Sequence, residues 1–295
     1  MHNESPEETP FRQLLSRLPA DAARQIQQQL HSVINYELHI GLMGKTGSGK
    51  SSLCNTLFSP PPASVDAVKG CTRRVQRWQV QHGSRMLHIV DFPGIAESPE
   101  LDALYQRLYL AWSSRLDVIV WVLKADERAW NDDLRCYRSL REAGIAPSRF
   151  LFVLSQADKI EPCREWDTVS HCPSPRQAEN LHAKAVLAAT QFATAHPVIA
   201  VSAAEHYNLH RWAEALILAL PPHSCSAVSR HLAPELRTGC VSDTARAGFV
   251  RITGDIFDEA VNTLALSDVL IRQLRQLRHA LLCAARALWH LLFWR

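Results

Sequence analysis

Three short runs of the chain are almost wholly apolar: Leu38–Met43, Val118-Ile119-Val120-Trp121-Val122-Leu123 and Phe150-Leu151-Phe152-Val153-Leu154. Each has the length of a strand and lacks the alternation of a half-solvated one, so each predicts a strand covered on both faces. Between and after them, apolar residues recur three and four apart, predicting helices over residues 98–114, 131–142, 177–195 and 209–220. Val198-Ile199-Ala200-Val201 adds a short strand. Residues 75–81 alternate, His82-Gly83-Ser84 turns, and Met86-Leu87-His88-Ile89-Val90-Asp91 returns, which predicts a hairpin. Six strands alternating with helices predict an α/β fold: a three-layer sandwich with a mostly parallel six-stranded sheet and helices on both faces.

The flanks follow different patterns. Residues 1–10 are polar with two prolines and are expected to be disordered. Phe11, Leu14, Leu15 and Leu18 keep helical spacing, Pro19 interrupts it, and Asp21 is placed to cap a second helix carrying Ile26, Leu30, Val33 and Ile34 on one face. The expected role of this preface is packing on the main domain, with a partner-binding arm as the alternative. Residues 59–74, rich in proline and polar side chains, predict a long loop of the kind that often carries function. Residues 221–242, with Pro221, Pro222, Ser224, Ser226, Ser229 and Pro234, predict a linker. Beyond it, 245–266 is moderately amphipathic, and Leu270, Leu274, Leu277, Leu281, Ala284, Leu288 and Leu291 line one side of a basic helix. The expected division is a helical preface over 1–35, a main domain over 36–220, a linker over 221–242 and a helical extension over 243–295.

Composition narrows the class. A chain of 295 residues that is 47% hydrophobic buries a sizeable core. With 32 basic and 29 acidic residues there is no global charge signature of a nucleic-acid binder. Eight cysteines occur without a C-x-x-C pair and read as reduced thiols rather than a zinc site. The polar start Met1-His2-Asn3-Glu4 is neither an export signal nor a myristoylation site, so the expected location is cytoplasmic.

The chemistry is concentrated after the first apolar run, in Gly44-Lys45-Thr46-Gly47-Ser48-Gly49-Lys50-Ser51-Ser52. Strand, Gly-x-x-x-x-Gly-Lys-Ser and helix start are the sequence and context of a phosphate-binding loop, hence of a P-loop NTPase. Glycines let successive N–H groups turn toward phosphate oxygens, and the helix start adds its own unpaired donors. Lys50 is placed to reach the β- and γ-phosphates and Ser51 to ligate Mg²⁺. Further along, Thr72 can complete Mg²⁺ coordination when a γ-phosphate is present, Asp91 can hold Mg²⁺ through water, and the Gly94 N–H can bind the γ-phosphate. Asp158, within Ser155-Gln156-Ala157-Asp158, offers a carboxylate to guanine, and Ser202-Ala203-Ala204 offers backbone N–H groups to the base oxygen. All follow strand ends on one rim, where open α/β sheets bind ligands.

This ordered set resembles the translation-factor-related GTPases of the Era/TrmE/septin-like group, and is most similar to its YfjP-type subgroup, over residues 36–220. The resemblance implies GTP and GDP as ligands with Mg²⁺, slow GTP hydrolysis to GDP and phosphate, and a nucleotide-gated switch acting in ribosome assembly or RNA modification. The residues assigned to catalysis are Lys50, Thr72 and Gly94. A second reading is a barely hydrolysing module that dimerises or docks on a membrane through residues 268–295; a third is a degenerate site or an ATP binder. Three departures from the family pattern stand out. Ser155 and Gln156 replace Asn and Lys of the guanine motif, Ile95 replaces the water-orienting Gln, and Gly47 stands where potassium-dependent relatives carry Asn. The loop is similar to septin-like and AIG-type loops, whose owners often pair across their nucleotide faces, which implies a homodimer as one partner arrangement. Arg73 and Arg74 are candidates for a cation supplied to a second subunit, and Glu97 for ordering water. The basic terminal helix, with Trp289, Phe293 and Trp294 near its end, suits packing, an anionic membrane surface or RNA phosphates.

Overall fold

The computed structural model describes residues 8–64, 75–83, 85–95, 99–262 and 268–294. In chain order the helices are α1 (Glu8–Leu15), α2 (Ala20–Ile34), α3 (Lys50–Leu57), α4 (Pro99–Ser113), α5 (Asn131–Glu142), α6 (Pro175–Phe192), α7 (Leu209–Ala219), α8 (Pro222–Ser229), α9 (Gly239–Asn262) and α10 (Asp268–Phe293). The strands are β1 (Leu38–Met43), β2 (Ala63–Ser64), β3 (Gln76–His82), β4 (Arg85–Asp91), β5 (Val118–Lys124), β6 (Phe150–Ser155) and β7 (Ile199–Ala200). The chain divides into a sheet unit, residues 37–220 with 231–238, and a helical unit, residues 1–36, 221–230 and 239–295.

In the sheet unit the strand order is β2-β3-β4-β1-β5-β6-β7. β4, β1, β5, β6 and β7 run parallel, and β3 joins β4 as the antiparallel hairpin that the alternating pattern predicts. The six predicted strands are present, and the two-residue β2 adds an edge within the stretch expected to be a loop. Register places Leu42 beside Asp91 and Val120, so the carboxyl ends of β1, β4 and β5 finish on one rim.

The apolar strands are held by an aromatic cluster. Trp121 is fully buried, stacks on Phe152 at 6.1 Å and meets Tyr137 edge-on at 6.2 Å, while Phe192 of α6 lies 4.7 Å from Phe152. Removing one such ring typically costs about 3–5 kcal/mol. The start of α6 escaped the periodicity because Ser174 and Gln177 form a capping box around Pro175, satisfying the helix start with polar residues.

In the helical unit, α1, α2, α9 and α10 share a core of Leu15, Ile26, Leu30, Phe257, Leu277 and Leu281. Asp21 lies in the first turn of α2 rather than at its cap, which Pro19 occupies. The leucine stripe of α10 is covered here: Leu281 is fully buried and Leu274, Leu277 and Leu288 are buried. Trp289 and Phe293, which suggested a membrane contact, are also buried; the Trp289 indole donates to Ser226 Oγ at 2.8 Å and Phe293 meets Phe249. Arg278 joins Asp258 through two hydrogen bonds of 2.7 Å. Among the described residues no helix is long and apolar enough to cross a membrane.

The stretch expected as a linker is corrected by the structure. Residues 222–229 form α8, buried from Ser224 to Ser229. Its serine hydroxyls turn back onto the main chain, Ser224 to Pro221 O at 3.0 Å, Ser226 to Ala245 O at 3.0 Å and Ser229 to Ser226 O at 2.8 Å, so composition typical of a loop is compatible with burial. Residues 231–238 instead join the sheet unit, where Leu232 bridges Phe58.

Candidate nucleotide-binding site

The loop between β1 and α3 is shaped by its glycines. Gly44 has φ +132°, and a β-carbon there would overlap the Val122 carbonyl oxygen of β5; only glycine lets the chain turn this close to the sheet. Gly49, at φ +87°, is the residue before α3 and starts the helix with its N–H groups toward the loop. Lys50 is buried, and its Nζ donates to the carbonyls of Gly44 at 3.2 Å and Lys45 at 3.1 Å, which folds the ammonium into the loop.

Beside it, Ser51 Oγ donates to Asp91 Oδ2 at 3.0 Å. Asp91 is buried at the end of β4, and its Oδ1 has no hydrogen-bond partner among the described residues. Burial pushes the Asp91 carboxyl above its ordinary value, and the Lys50 charge and the Ser51 hydrogen bond pull it back. A hydroxyl and a carboxylate with an unused buried oxygen, next to a phosphate loop, form a hard-oxygen donor set that fits Mg²⁺. After Asp91, Phe92 N donates to Leu42 O at 3.1 Å and Tyr109 Oη donates to Pro93 O at 2.6 Å, so this segment is fixed from both sides. Ile95 bridges Lys45 and is buried in the core. Thr72, Arg73, Arg74 and Glu97 lie outside the described residues.

Ser155, Gln156, Asp158, Ser202, Ala203 and Ala204 line the same cleft, of about 610 Å³, as Gly47, Gly49 and Ser52. Ser155 is buried and its Oγ donates to Ser48 O at 2.6 Å, with Leu123 O also within 3.1 Å. Gln156, in the left-handed region at φ 55°, donates from Nε2 to Gly47 O at 2.9 Å. Its Oε1 accepts from Lys159 Nζ at 2.8 Å. Asp158 Oδ1 accepts from Ser202 Oγ at 2.5 Å, and Ser202 Oγ accepts from Glu205 N at 3.2 Å. The structure therefore brings Gly47, Gly49 and Ser52 of the phosphate loop into one cleft with Asp158, while Lys50 holds to the same loop and Ser51 to Asp91.

Two features escaped the sequence. Lys45 Nζ is gripped by Glu127 at 2.5 Å, Asp133 at 3.7 Å and Asp132 at 3.9 Å. Burial would lower the Lys45 value, but these carboxylates outweigh it and raise it. Asp133 is buried and pushed up to about 6 by that burial, against the pull of the Trp121 indole, which donates at 2.8 Å, and of Lys45. Partners so far along the chain leave no spacing signal. Lys159 was also missed, although it neighbours the guanine motif; only the side-chain geometry identifies its tie to Gln156. Among the described residues no group of three or more His, Cys, Asp or Glu could hold a metal ion by itself, and the cysteines are free.

Comparison with known proteins agrees with this geometry. The family model described as 50S ribosome-binding GTPase matches residues 39–156. The Escherichia coli protein YkfA is 36% identical over 284 residues, 96% of this chain and 97% of YkfA. The Escherichia coli protein YfjP is 38% identical over 285 residues, 96% of this chain and 97% of YfjP. GTPase Der of Nitratiruptor is 31% identical over 105 residues, 36% of this chain and 23% of Der. Because similarity to the two Escherichia coli proteins extends over nearly the full length of each chain and the phosphate loop sits in a matched GTPase domain, the chain belongs to the YfjP and YkfA family of P-loop GTPase-domain proteins.

Proposed function

We propose that the sheet unit binds GTP and GDP with Mg²⁺, hydrolyses GTP slowly, and acts as a nucleotide-gated switch. The observation that carries this reading is the cleft that joins the phosphate loop, at Gly47, Gly49 and Ser52, to Asp158, with Lys50 and the Ser51–Asp91 pair held on the same loop and helix. A carboxylate accepts from both N1–H and the 2-amino group of guanine, and adenine offers neither at those positions. The N–H groups of Ala203 and Ala204 would meet the base oxygen.

Ser51, Thr72 and, through water, Asp91 would hold Mg²⁺, which would supply positive charge to offset the negative charge that develops on the phosphates. Lys50 and the Gly94 N–H would hold the γ-phosphate in line for attack by water. Ile95, buried in the core, leaves that position without the water-orienting side chain of relatives that carry Gln, which supports slow turnover. Residues 59–74 and 94–98 would respond to the γ-phosphate and transmit its loss.

The family description supports the ribosome, or RNA bound to it, as the target in ribosome assembly or RNA modification. The membrane-docking alternative loses its main support because the apolar stripe of α10 is covered within the helical unit. A homodimer across the nucleotide face remains part of the reading as the source of a stimulating cation.

The test is binding of fluorescent GDP and of a non-hydrolysable GTP analogue with Mg²⁺, challenged with unlabelled ATP. Micromolar binding that ATP does not displace is expected, lost in Lys50→Ala and shifted toward xanthine nucleotides in Asp158→Asn. No guanine binding by the wild type sinks the reading. Co-sedimentation with ribosomes that depends on the GTP analogue is the expected result for the output, and equal sedimentation with GDP removes the switch.

A further inference from the structure

We propose that Thr46 is the water-positioning residue of this site, supplying from the phosphate loop the polar group that position 95 lacks. The inference rests on the GTPase reading above and assigns it a residue.

Three observations converge. Ile95 is buried at 3% exposure, packs in the core of the sheet unit and is bridged to Lys45, so no rotation brings a polar group from position 95 to the cleft. Thr46 is exposed, one residue further along the loop. Its amide nitrogen and its Oγ1 press against Gly94, so closely that a β-carbon at position 94 would overlap both atoms. Gly94 is the residue whose N–H would hold the γ-phosphate, so the Thr46 hydroxyl would stand beside that phosphate.

A hydroxyl both donates and accepts. From this place Thr46 Oγ1 accepts a proton-mediated bond from the attacking water and donates to a γ-phosphate oxygen. The water oxygen forms the new bond to phosphorus, the bond from phosphorus to the β–γ bridging oxygen breaks with its electron pair leaving on GDP, and the water proton passes to the released phosphate. Thr46 itself is neither consumed nor ionised. One weak hydrogen bond from an exposed hydroxyl orders water less well than the amide of a Gln, in keeping with slow turnover.

The experiment is single-turnover hydrolysis of GTP with excess full-length protein, comparing wild type with Thr46→Val, Thr46→Ala and Thr46→Ser. Affinities for GDP and for the non-hydrolysable analogue are measured on the same samples. The Val variant keeps shape and loses the hydroxyl; the Ser variant keeps the hydroxyl. The hydrolysis rate is expected to fall roughly ten- to hundredfold in Val and Ala. Ser is expected to stay within about threefold of wild type, and Val and Ala are expected to weaken the GTP analogue more than GDP, because the lost hydroxyl also contacts the γ-phosphate. Rates in Val or Ala equal to or above wild type overturn the assignment and identify Thr46 as a spacer or an obstruction. A rate loss in Ser as large as in Val also overturns it, because shape rather than the hydroxyl would then decide. Failure of the GTPase reading is separate: it appears as absent guanine binding in the wild type. Wild-type binding without hydrolysis removes the role for Thr46 while leaving the binding reading intact.

Discussion

The phosphate end of the cleft is built from main chain, and the base end is wired by side chains. At the first, a glycine pressed on Val122, the carbonyls that hold Lys50 and the start of α3 form the cradle. At the second, Ser155 reaches Ser48 O, Gln156 reaches Gly47 O and Ser202 reaches Asp158. The two ends therefore tolerate substitution differently. A main-chain cradle depends on which residues lack a side chain, whereas a side-chain tether asks only that some donor arrive at the right carbonyl. Ser155 meets that demand with a hydroxyl two bonds from its Cα, because β6 brings it directly under the loop.

The largest effect is expected at Gly44. Gly44→Ala places a β-carbon against the Val122 carbonyl at φ +132°, and neither the loop nor the central strand β5 can yield without moving the cradle. Backbone strain alone costs about 1–3 kcal/mol, and the overlap adds to it. The expected outcome is loss of nucleotide binding with a stability loss of roughly 3 kcal/mol or more, read by denaturant titration beside fluorescent GDP binding. Wild-type affinity in this variant would mean that the cradle is not a main-chain device.

At the other end, Ser155→Ala leaves the buried Ser48 carbonyl without its tether. An orphaned buried acceptor costs about 1–3 kcal/mol, and the loop it steadied becomes less ordered. A stability loss in that range is expected together with a weaker hold on GDP. Restoration by Ser155→Asn, whose amide can donate to the same carbonyl, would sharpen the view that donor placement rather than residue type matters. Failure of both variants to differ from wild type would show that the tether carries no weight.

This contrast explains what could be read from the sequence. The strands were legible because burial on both faces leaves almost no polar residue in 118–123 or 150–154, and the cradle because a main-chain site needs glycine at fixed steps. Asp158 was legible as a lone carboxylate at a strand end, whereas Ser155, a common residue with no fixed role, gave no hint that it holds the loop. Helix α8 was hidden because Pro221, Pro222 and three serines carry the composition of a linker, and only tertiary contact shows the hydroxyls satisfied inside. The α10 stripe was legible as apolar, but its cover, contributed by α9 and by α1 and α2 more than two hundred positions earlier, was not. The acidic grip on Lys45 was invisible for the same reason: proximity between residue 45 and residues 127–133 exists only once β1 and β5 pair.

That grip supplies the smallest and most specific test, because it adds an ion pair to the phosphate end. Asp133 sits at about 6, above its ordinary 3.8, chiefly through burial. The folded protein therefore holds this proton where the unfolded chain has released it. Its contribution is complete below about pH 4, declines as pH rises from about 4 to about 6, and is absent above that. Asp133→Asn keeps an oxygen for the Trp121 indole and removes the titration, and Glu127 still holds Lys45. The stability of the variant relative to wild type should thus rise by about 1–3 kcal/mol between pH 4 and pH 7, since the wild type alone comes to bury a charge there. Parallel stability curves in denaturant across that range would mean that Lys45 fully compensates the Asp133 charge, and the phosphate end would then be steadied by an ion pair as firmly as by its main chain.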